Sequence, residues 1–360
     1  MSEAVDLEVD GHTVTLTNPG KVYFSKRGET KLDLANYYLA VADSIMNTIQ
    51  DRPLLLERYP DGAAGKSWFQ KRVPKGTPDW VQTTVVSTPN GTTSEALVAA
   101  DMAHILWAVN LGCLGFHVWP THAGSDPAIS APPVYDAAGA LLPPTGVTDE
   151  LRVDLDPSPG IGFEELREAA VLTRQLCTEL GIDVRVKTSG SRGLHLYALL
   201  EPRWDGYQVR AAAVALAREL ERRHPERITA QWWKEERGSR VFFDFNQNAP
   251  HKTVFGAWCV RPKVGAQVST PIAWDELAEI VPDELTIATV PARVAAAGDP
   301  WADRVPQSIQ VLLEMSEKDL AAGLMDAPWP PVYPKMPNEP PRVQPSRKAT
   351  GSKKDSGESR

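Results

Sequence analysis

The sequence predicts an α+β fold, with mixed or antiparallel sheets flanked by helices, and three observations carry that assignment. Apolar and polar residues alternate through VDLEVDGHTVTLT (residues 5–17) about Asp10-Gly11, a pair that accepts the left-handed backbone of a tight hairpin turn. Residues 182–200, IDVRVKTSGSRGLHLYALL, read again as strand, tight turn and strand. The segments with helical spacing lie among such hairpins without alternating one for one with strands, which disfavours a doubly wound parallel sheet.

In chain order, the first hairpin leads into a turn-rich loop, NPGKVYFSKRGETKLD (18–33), that concentrates Lys21, Lys26, Arg27 and Lys31. A helix follows from Asp33, taken as its N-cap, to Gln50, and RPLLLERYP (52–60) reads as a strand. The connection after it sets Trp68 and Phe69 side by side among Lys66, Lys71, Arg72 and Lys75. Leu97, Val98, Met102, Ile105, Leu106 and Val109 are spaced for a helix over 93–111, and GFHVWPTH (115–122) is a short strand bearing His117. A Pro/Ala/Gly-rich loop, 123–147, delivers the chain to LRVDLDPSPG (151–160), a strand ended by Pro157 and Pro159. Helices are predicted over Phe163–Leu180, stopped by Gly181, and over Tyr207–His224, with strands at 240–248 and 253–260. From Ala327 onward, Pro and then Ser, Lys and Gly dominate, and a disordered tail is expected.

The chain has 360 residues, of which 42% are hydrophobic and 23% charged, a composition that supports a substantial buried core. No apolar run approaches a membrane span, and the N-terminus lacks a basic region followed by an apolar core, so a cytoplasmic protein with no membrane partner is expected. Cys113, Cys177 and Cys259 are far apart, without the spacing of a zinc site or a disulfide framework, and read as buried thiols. The net charge of −8 argues against wholesale coating of nucleic acid but leaves room for a local basic groove.

Chemistry concentrates in a few stretches. On the strand 151–157, Asp154 and Asp156 share one face while Val153 and Leu155 turn to the other, so two carboxylates stand roughly 6 to 7 Å apart. A divalent cation between them lets both stay ionised; a solvated strand end would carry the same pair. Asp244 interrupts the apolar strand VFFDF, where a lone charge is expensive unless it is paired or metal-bound. Three aspartates on two strands make an oxygen cage suited to Mg²⁺ or Mn²⁺, a usual arrangement for phosphoryl or nucleotidyl transfer. Ser189, Gly190, Ser191 and Gly193 form a turn whose N–H groups can face an anion, while Arg192 adds a positive fork and His195 a donor, which together suit a triphosphate.

Taken together, Asp154-Leu155-Asp156-Pro157, Ser189-Gly190-Ser191-Arg192-Gly193-Leu194-His195-Leu196-Tyr197 and Asp244 with Gln247-Asn248 resemble the three motifs of the archaeo-eukaryotic primase-polymerases. They are most similar to those of the polymerase domain of bacterial ligase D, which serves non-homologous end joining. The resemblance continues through Asn18-Pro19-Gly20-Lys21-Val22, Gly28-Glu29-Thr30-Lys31, Arg52-Pro53 and Trp68-Phe69-Gln70-Lys71 to Arg261.

It implies a primase-polymerase catalytic core over 76–325, a DNA-binding portion of the same module over 1–75 and a tail over 326–360. It further implies a two-metal site of Asp154, Asp156 and Asp244, with Asp244 also set to activate the primer 3′-hydroxyl. His117, Ser189, Arg192, His195 and Arg261 fall near the incoming NTP or dNTP. Lys21, Lys31, Arg58, Trp68, Phe69, Lys71, Gln247 and Asn248 fall at DNA, with the two lysines at a downstream 5′-phosphate and the aromatics on the template. Lysine suits a terminal phosphate as a point charge, and stacking on an aromatic face tolerates any base. The implied setting is a bacterial nucleoid, with gapped or broken DNA, a preference for ribonucleotides and Mn²⁺, and a separate ligase and end-binding protein as partners.

Some positions depart from the family pattern: Arg192 stands where many relatives carry lysine, Trp68 where they carry phenylalanine, and Glu57 where a basic residue is common. No K-x-D-G adenylation motif is present, and the length suggests a stand-alone polymerase. Two other classes use the same residues. A metal-dependent nuclease would employ the aspartates with a water nucleophile, and a non-catalytic end-binding module would need only the lysines and aromatics.

Overall fold

The computed structural model describes residues 4–89, 92–124, 139 and 146–342. The chain opens on the hairpin β1 (Val5–Val9) and β2 (His12–Leu16), whose turn residues Asp10 and Gly11 take φ of 48° and 77°, the left-handed pair its sequence calls for. A two-stranded ribbon, β3 (Val22–Phe24) and β4 (Glu29–Thr30), leads into α1 (Lys31–Ala40) and α2 (Ala42–Ile49). The expected single helix is therefore two, broken at Val41. Its N-cap is Thr30, three residues before the one expected. Asp33 sits at the third helical position and accepts the Thr30 N–H at 2.7 Å, closing a capping box.

β5 (Pro53–Arg58), β6 (Trp68–Gln70), β7 (Thr83–Ser87), β8 (Thr93–Val98), α3 (Met102–Asn110) and β9 (Cys113–Val118) follow. The helix expected over 93–111 is corrected to β8 and α3. Ala96, Leu97 and Val98 are all buried because β8 lies between β5 and β7, and a central strand covered on both faces reads as a continuous apolar run. Asp101 caps α3 by accepting the His104 N–H, and is the signal that the helix starts late.

The second half contributes β10 (Val147–Pro157), α4 (Phe163–Glu179), β11 (Arg185–Thr188), β12 (Leu194–Asp205), α5 (Gly206–Arg223), β13 (Ile228–Thr229), β14 (Val241–Asp244), β15 (Val254–Phe255), β16 (Pro271–Ile272), α6 (Val290–Ala297) and α7 (Gln310–Ala321). Two six-stranded sheets result: β15-β9-β5-β8-β7 with β6 on β5, and β13-β14-β10-β12-β11-β16. Every pairing in them is antiparallel except β13 with β14. The first sheet takes β5 and β6 from before residue 75 and β7 to β9 from after it, so a boundary at 75 cuts through a sheet.

In the second sheet, Leu151, Val153 and Leu155 of β10 are buried on the face covered by α4 and α5. That alternation turns Asp154 and Asp156 to the opposite face. A buried charge network ties the sheets together: Arg52 donates to Pro120 O at 2.7 Å and to Asp149, and Arg152 pairs with Glu150 while donating to the carbonyls of Val118 and Trp119. The three cysteines are buried thiols. Among the described residues, no helix is long and apolar enough to cross a membrane.

The expected disordered tail is corrected over 327–342. Trp329, Tyr333 and Met336 are buried against Ala249 and Tyr207, because these widely spaced large side chains find a partner surface that composition alone does not reveal. The rest of that expectation, from 343 on, and most of the expected loop 123–147 lie outside the described residues.

Candidate active site

Strand register assembles the acidic cluster. Asp154 lies opposite His195 on β12 and opposite Asp244 on β14, so one row across three adjacent strands carries all three side chains to one face. Asp156, two residues on, completes the group, and ligand oxygens of the three aspartates all lie within 4.8 Å of one another.

Asp244 ends β14 and caps the short 3₁₀ turn Phe245–Asn248, where Oδ1 accepts the Asn246 N–H at 3.0 Å and Oδ2 accepts from Gln247 Nε2 at 2.8 Å. The Asp154 carboxyl is pushed well above the usual carboxylate range by burial and by the charges of Asp156 and Asp244. Burial likewise raises Asp156, against the pull of Arg237 and Arg192, and raises Asp244, with Asp156 adding to it. Asp154 Oδ1 is buried without a hydrogen-bond partner. Three carboxylates that repel one another around an unpartnered oxygen are a donor set that fits a divalent cation of the Mg²⁺ or Mn²⁺ class.

The cluster opens on a cleft of about 640 Å³ lined by His117, Asp154, Asp156, Ser189, Arg192, His195, Lys234, Arg237, Gln247, Phe255 and Arg261, among others. Ser189 Oγ accepts the N–H groups of Ser191 and Gly193, which shapes the turn between β11 and β12, and its carbonyl accepts Arg261 Nε at 2.6 Å. Gly190 is required there: its φ is +67°, and a Cβ would come within 2.7 Å of Arg261 Cγ. His195 Nε2 approaches Asp154 Oδ1 at 3.3 Å, and burial with Lys187 and Arg261 nearby holds the imidazole well below its usual range, so it is neutral at pH 7.

Aromatic rings connect β6 to the cleft. Phe69 meets His117 edge-on at 5.3 Å, His117 meets Phe255 at 5.2 Å, and the Arg261 guanidinium lies 3.8 Å over Phe255. Gly115 permits this approach, since a Cβ would sit 2.5 Å from the Phe255 ring. Trp68 and Phe69 are 46% and 59% exposed, unusual for large rings and open to stacking. Arg58 stands behind Trp68, its guanidinium 5.1 Å from the indole, and is fixed by Leu111 O and Gln70. Glu57 faces His117 at 3.3 Å and accepts from the Tyr59 hydroxyl.

Three of the residues expected at DNA have partners within the protein. Lys31 is buried and donates to Thr17 O, Asn110 O and Asn110 Oδ1, and burial lowers it to about 8. It therefore anchors the basic loop and presents no free charge. Lys21 is at the surface and paired with Asp61 at 2.7 Å. Asn248 is buried, with Oδ1 accepting the Arg152 N–H and Nδ2 donating to Arg152 O and Phe245 O, so it extends the edge of β10. Lys71 is exposed beside β6.

Sequence reasoning missed two members of the site, Lys187 and Phe255. Lys187 is buried behind the cleft, donating to Ser269 Oγ at 2.6 Å and to Phe255 O, and burial with Arg261 lowers it to about 7. In IDVRVK (182–187) Lys187 falls on the polar phase with Asp183 and Arg185, so no break in the pattern singles it out as Asp244 is singled out in VFFDF.

Comparison with known proteins agrees with this geometry. A family model described as LigD, primase-polymerase domain, matches residues 30–301. The chain belongs to that family. It is 30% identical over 286 residues to the multifunctional non-homologous end joining DNA repair protein LigD of Mycobacterium tuberculosis, covering 79% of this chain and 36% of that protein. It is also 30% identical over 296 residues to the bifunctional LigD of Bacillus subtilis, covering 81% and 44%. The chain thus spans less than half the length of these relatives. The solved polymerase domain of M. tuberculosis ligase D in complex with DNA superposes with a TM-score of 0.71 at 29% identity, covering 81% of this chain and 99% of that one.

Proposed function

We propose that this chain is a metal-dependent nucleotidyltransferase that adds nucleotides to a primer 3′ end at gaps or breaks in DNA, in end joining or a related repair process. The observation that carries the reading is the row of Asp244, Asp154 and His195 across three strands, beside a cleft that Asp154, Asp156 and His195 line with Arg192, Lys234, Arg237 and Arg261. Acids at the floor and cations on the walls match a substrate whose reacting phosphate sits between a cation site and a polyphosphate leaving group.

Asp154, Asp156 and Asp244 would hold Mg²⁺ or Mn²⁺, which when bound supplies Lewis-acid charge for nucleotidyl transfer. The chain's own groups do the rest. Arg261, fixed to Ser189 O and stacked on Phe255, and Arg192 at the cleft mouth orient the triphosphate of an NTP or dNTP. Gln247 holds the Asp244 carboxylate that would face the primer hydroxyl. Neutral His195 offers an uncharged donor or acceptor beside Asp154 without adding positive charge next to the cation site. Trp68 and Phe69 stack template bases, and Lys21 takes a downstream 5′-phosphate in place of Asp61. A ribonucleotide preference, a nucleoid location and partnership with a ligase and an end-binding protein belong to the same reading.

The test is extension of a labelled primer facing a short gap, with and without a downstream 5′-phosphate, with rNTPs or dNTPs and Mg²⁺ or Mn²⁺. The reading predicts metal-dependent extension stimulated by the phosphate and faster with rNTPs. Degradation without nucleotides would point to a nuclease, and gap binding without extension to a recruitment module; either refutes it.

A further inference from the structure

The family match ends at residue 301, yet the described chain continues through α7 and residues 326–342, which return across α5 to the turn that carries Asp244. The junction is Arg210 of α5, buried to 1% exposure. Its Nη1 donates to Asp326 at 3.0 Å, its Nη2 to the carbonyls of Ala327 and Pro328, and the guanidinium stacks 3.8 Å over Trp329. The remaining donor, Nε, reaches Asn246 Oδ1 at 2.7 Å, while Asn246 Nδ2 donates to Pro328 O at 3.0 Å. The Asn246 side chain is thus clamped at both ends, and its backbone N–H is the donor to Asp244 Oδ1.

A buried arginine is an inefficient route to stability, since well-packed apolar residues serve as well. It is an efficient route to position, because its donors have fixed directions. Metal-ligating carboxylates depend on groups that hold their oxygens in place, and loss of such groups typically weakens metal binding by 10- to 100-fold.

We propose that Arg210 and Asn246 are positioning residues for Asp244, and that residues 326–342, outside the family match, are the anchor that fixes them. The inference rests on the metal-dependent reading above. It is tested in the 360-residue chain with Asn246→Ala and Trp329→Ala, neither of which lines the cleft. Mn²⁺ is titrated calorimetrically into each protein without DNA or nucleotide, and thermal melts in chelator establish that each variant folds. Asn246→Ala is expected to bind Mn²⁺ about tenfold more weakly. The Mn²⁺ concentration for half-maximal extension should rise by a similar factor, with the nucleotide KM at saturating Mn²⁺ unchanged. Trp329→Ala should shift the isotherm in the same direction by a smaller factor. A purely structural role would lower the melting temperature and leave the isotherm where it is. Wild-type Mn²⁺ affinity in both folded variants would overturn the inference, whereas failure of the wild-type protein itself to bind Mn²⁺ would overturn the reading beneath it.

Discussion

Replacing Asp154 by Asn should make the metal-free protein more stable while removing its activity. The oxygens of Asp154, Asp156 and Asp244 lie within 4.8 Å of one another. At an effective dielectric of about 20, two unit charges at that separation repel by roughly 3.5 kcal/mol. Asp154 has two such neighbours and a buried oxygen with no hydrogen-bond partner, and the nearby charges of Lys187 and Arg261 offset the repulsion only in part, since the carboxyl is still pushed well above its usual range. Protonation relieves part of it, which leaves an expected gain of about 2 to 4 kcal/mol for the neutral isostere, or roughly 5 °C in Tm.

The pH dependence has a definite sign. The folded-state pKa of Asp154 is raised above the ordinary 3.8, so the native state binds the extra proton, and wild-type stability is lost relative to the Asp154→Asn variant as pH rises above that value. The two proteins should coincide near pH 3.5 and diverge toward pH 8. Calorimetric melts in chelator measure this directly, and Mn²⁺ should stabilise the wild type and not the variant. A variant less stable than wild type at pH 8 in chelator would refute the repulsion argument.

Asn248→Ala leaves the buried N–H and C=O of Arg152 without partners and should cost about 2 to 4 kcal/mol in denaturant melts, far more than a surface DNA contact would. Trp68→Ala should weaken binding to gapped DNA by about 1 to 3 kcal/mol in a fluorescence titration, without sequence preference and without loss of stability. Gly190→Ala forces a Cβ into a left-handed position against Arg261, costing about 1 to 2 kcal/mol in the backbone alone, and nucleotide KM should rise with Mn²⁺ affinity intact.

What the sequence made legible was local. Asp10-Gly11 declared a hairpin because its two residues favour left-handed φ, and Asp154, Asp156 and Asp244 declared themselves as charges in apolar strands. The pairing of Asp154 with Asp244 was not legible, since it depends on a register set between strands far apart in sequence. Burial misled elsewhere. Lys31 and Asn248 have the residue types of a nucleic-acid contact, but their partners are the carbonyls of Thr17, Asn110, Arg152 and Phe245, which no local pattern identifies. Leu97 and Val98 fit a helical period because a strand covered on both faces loses its alternation. Trp329, Tyr333 and Met336 carried a signal of packing that average composition diluted.

The most direct test of the central claim is single-nucleotide addition to a gapped primer by wild type and Asp244→Asn, both shown to bind the same DNA. The account predicts Mn²⁺- or Mg²⁺-dependent addition by the wild type and at least about a hundredfold loss in the variant, with DNA affinity retained. Equal rates in the two proteins would contradict it.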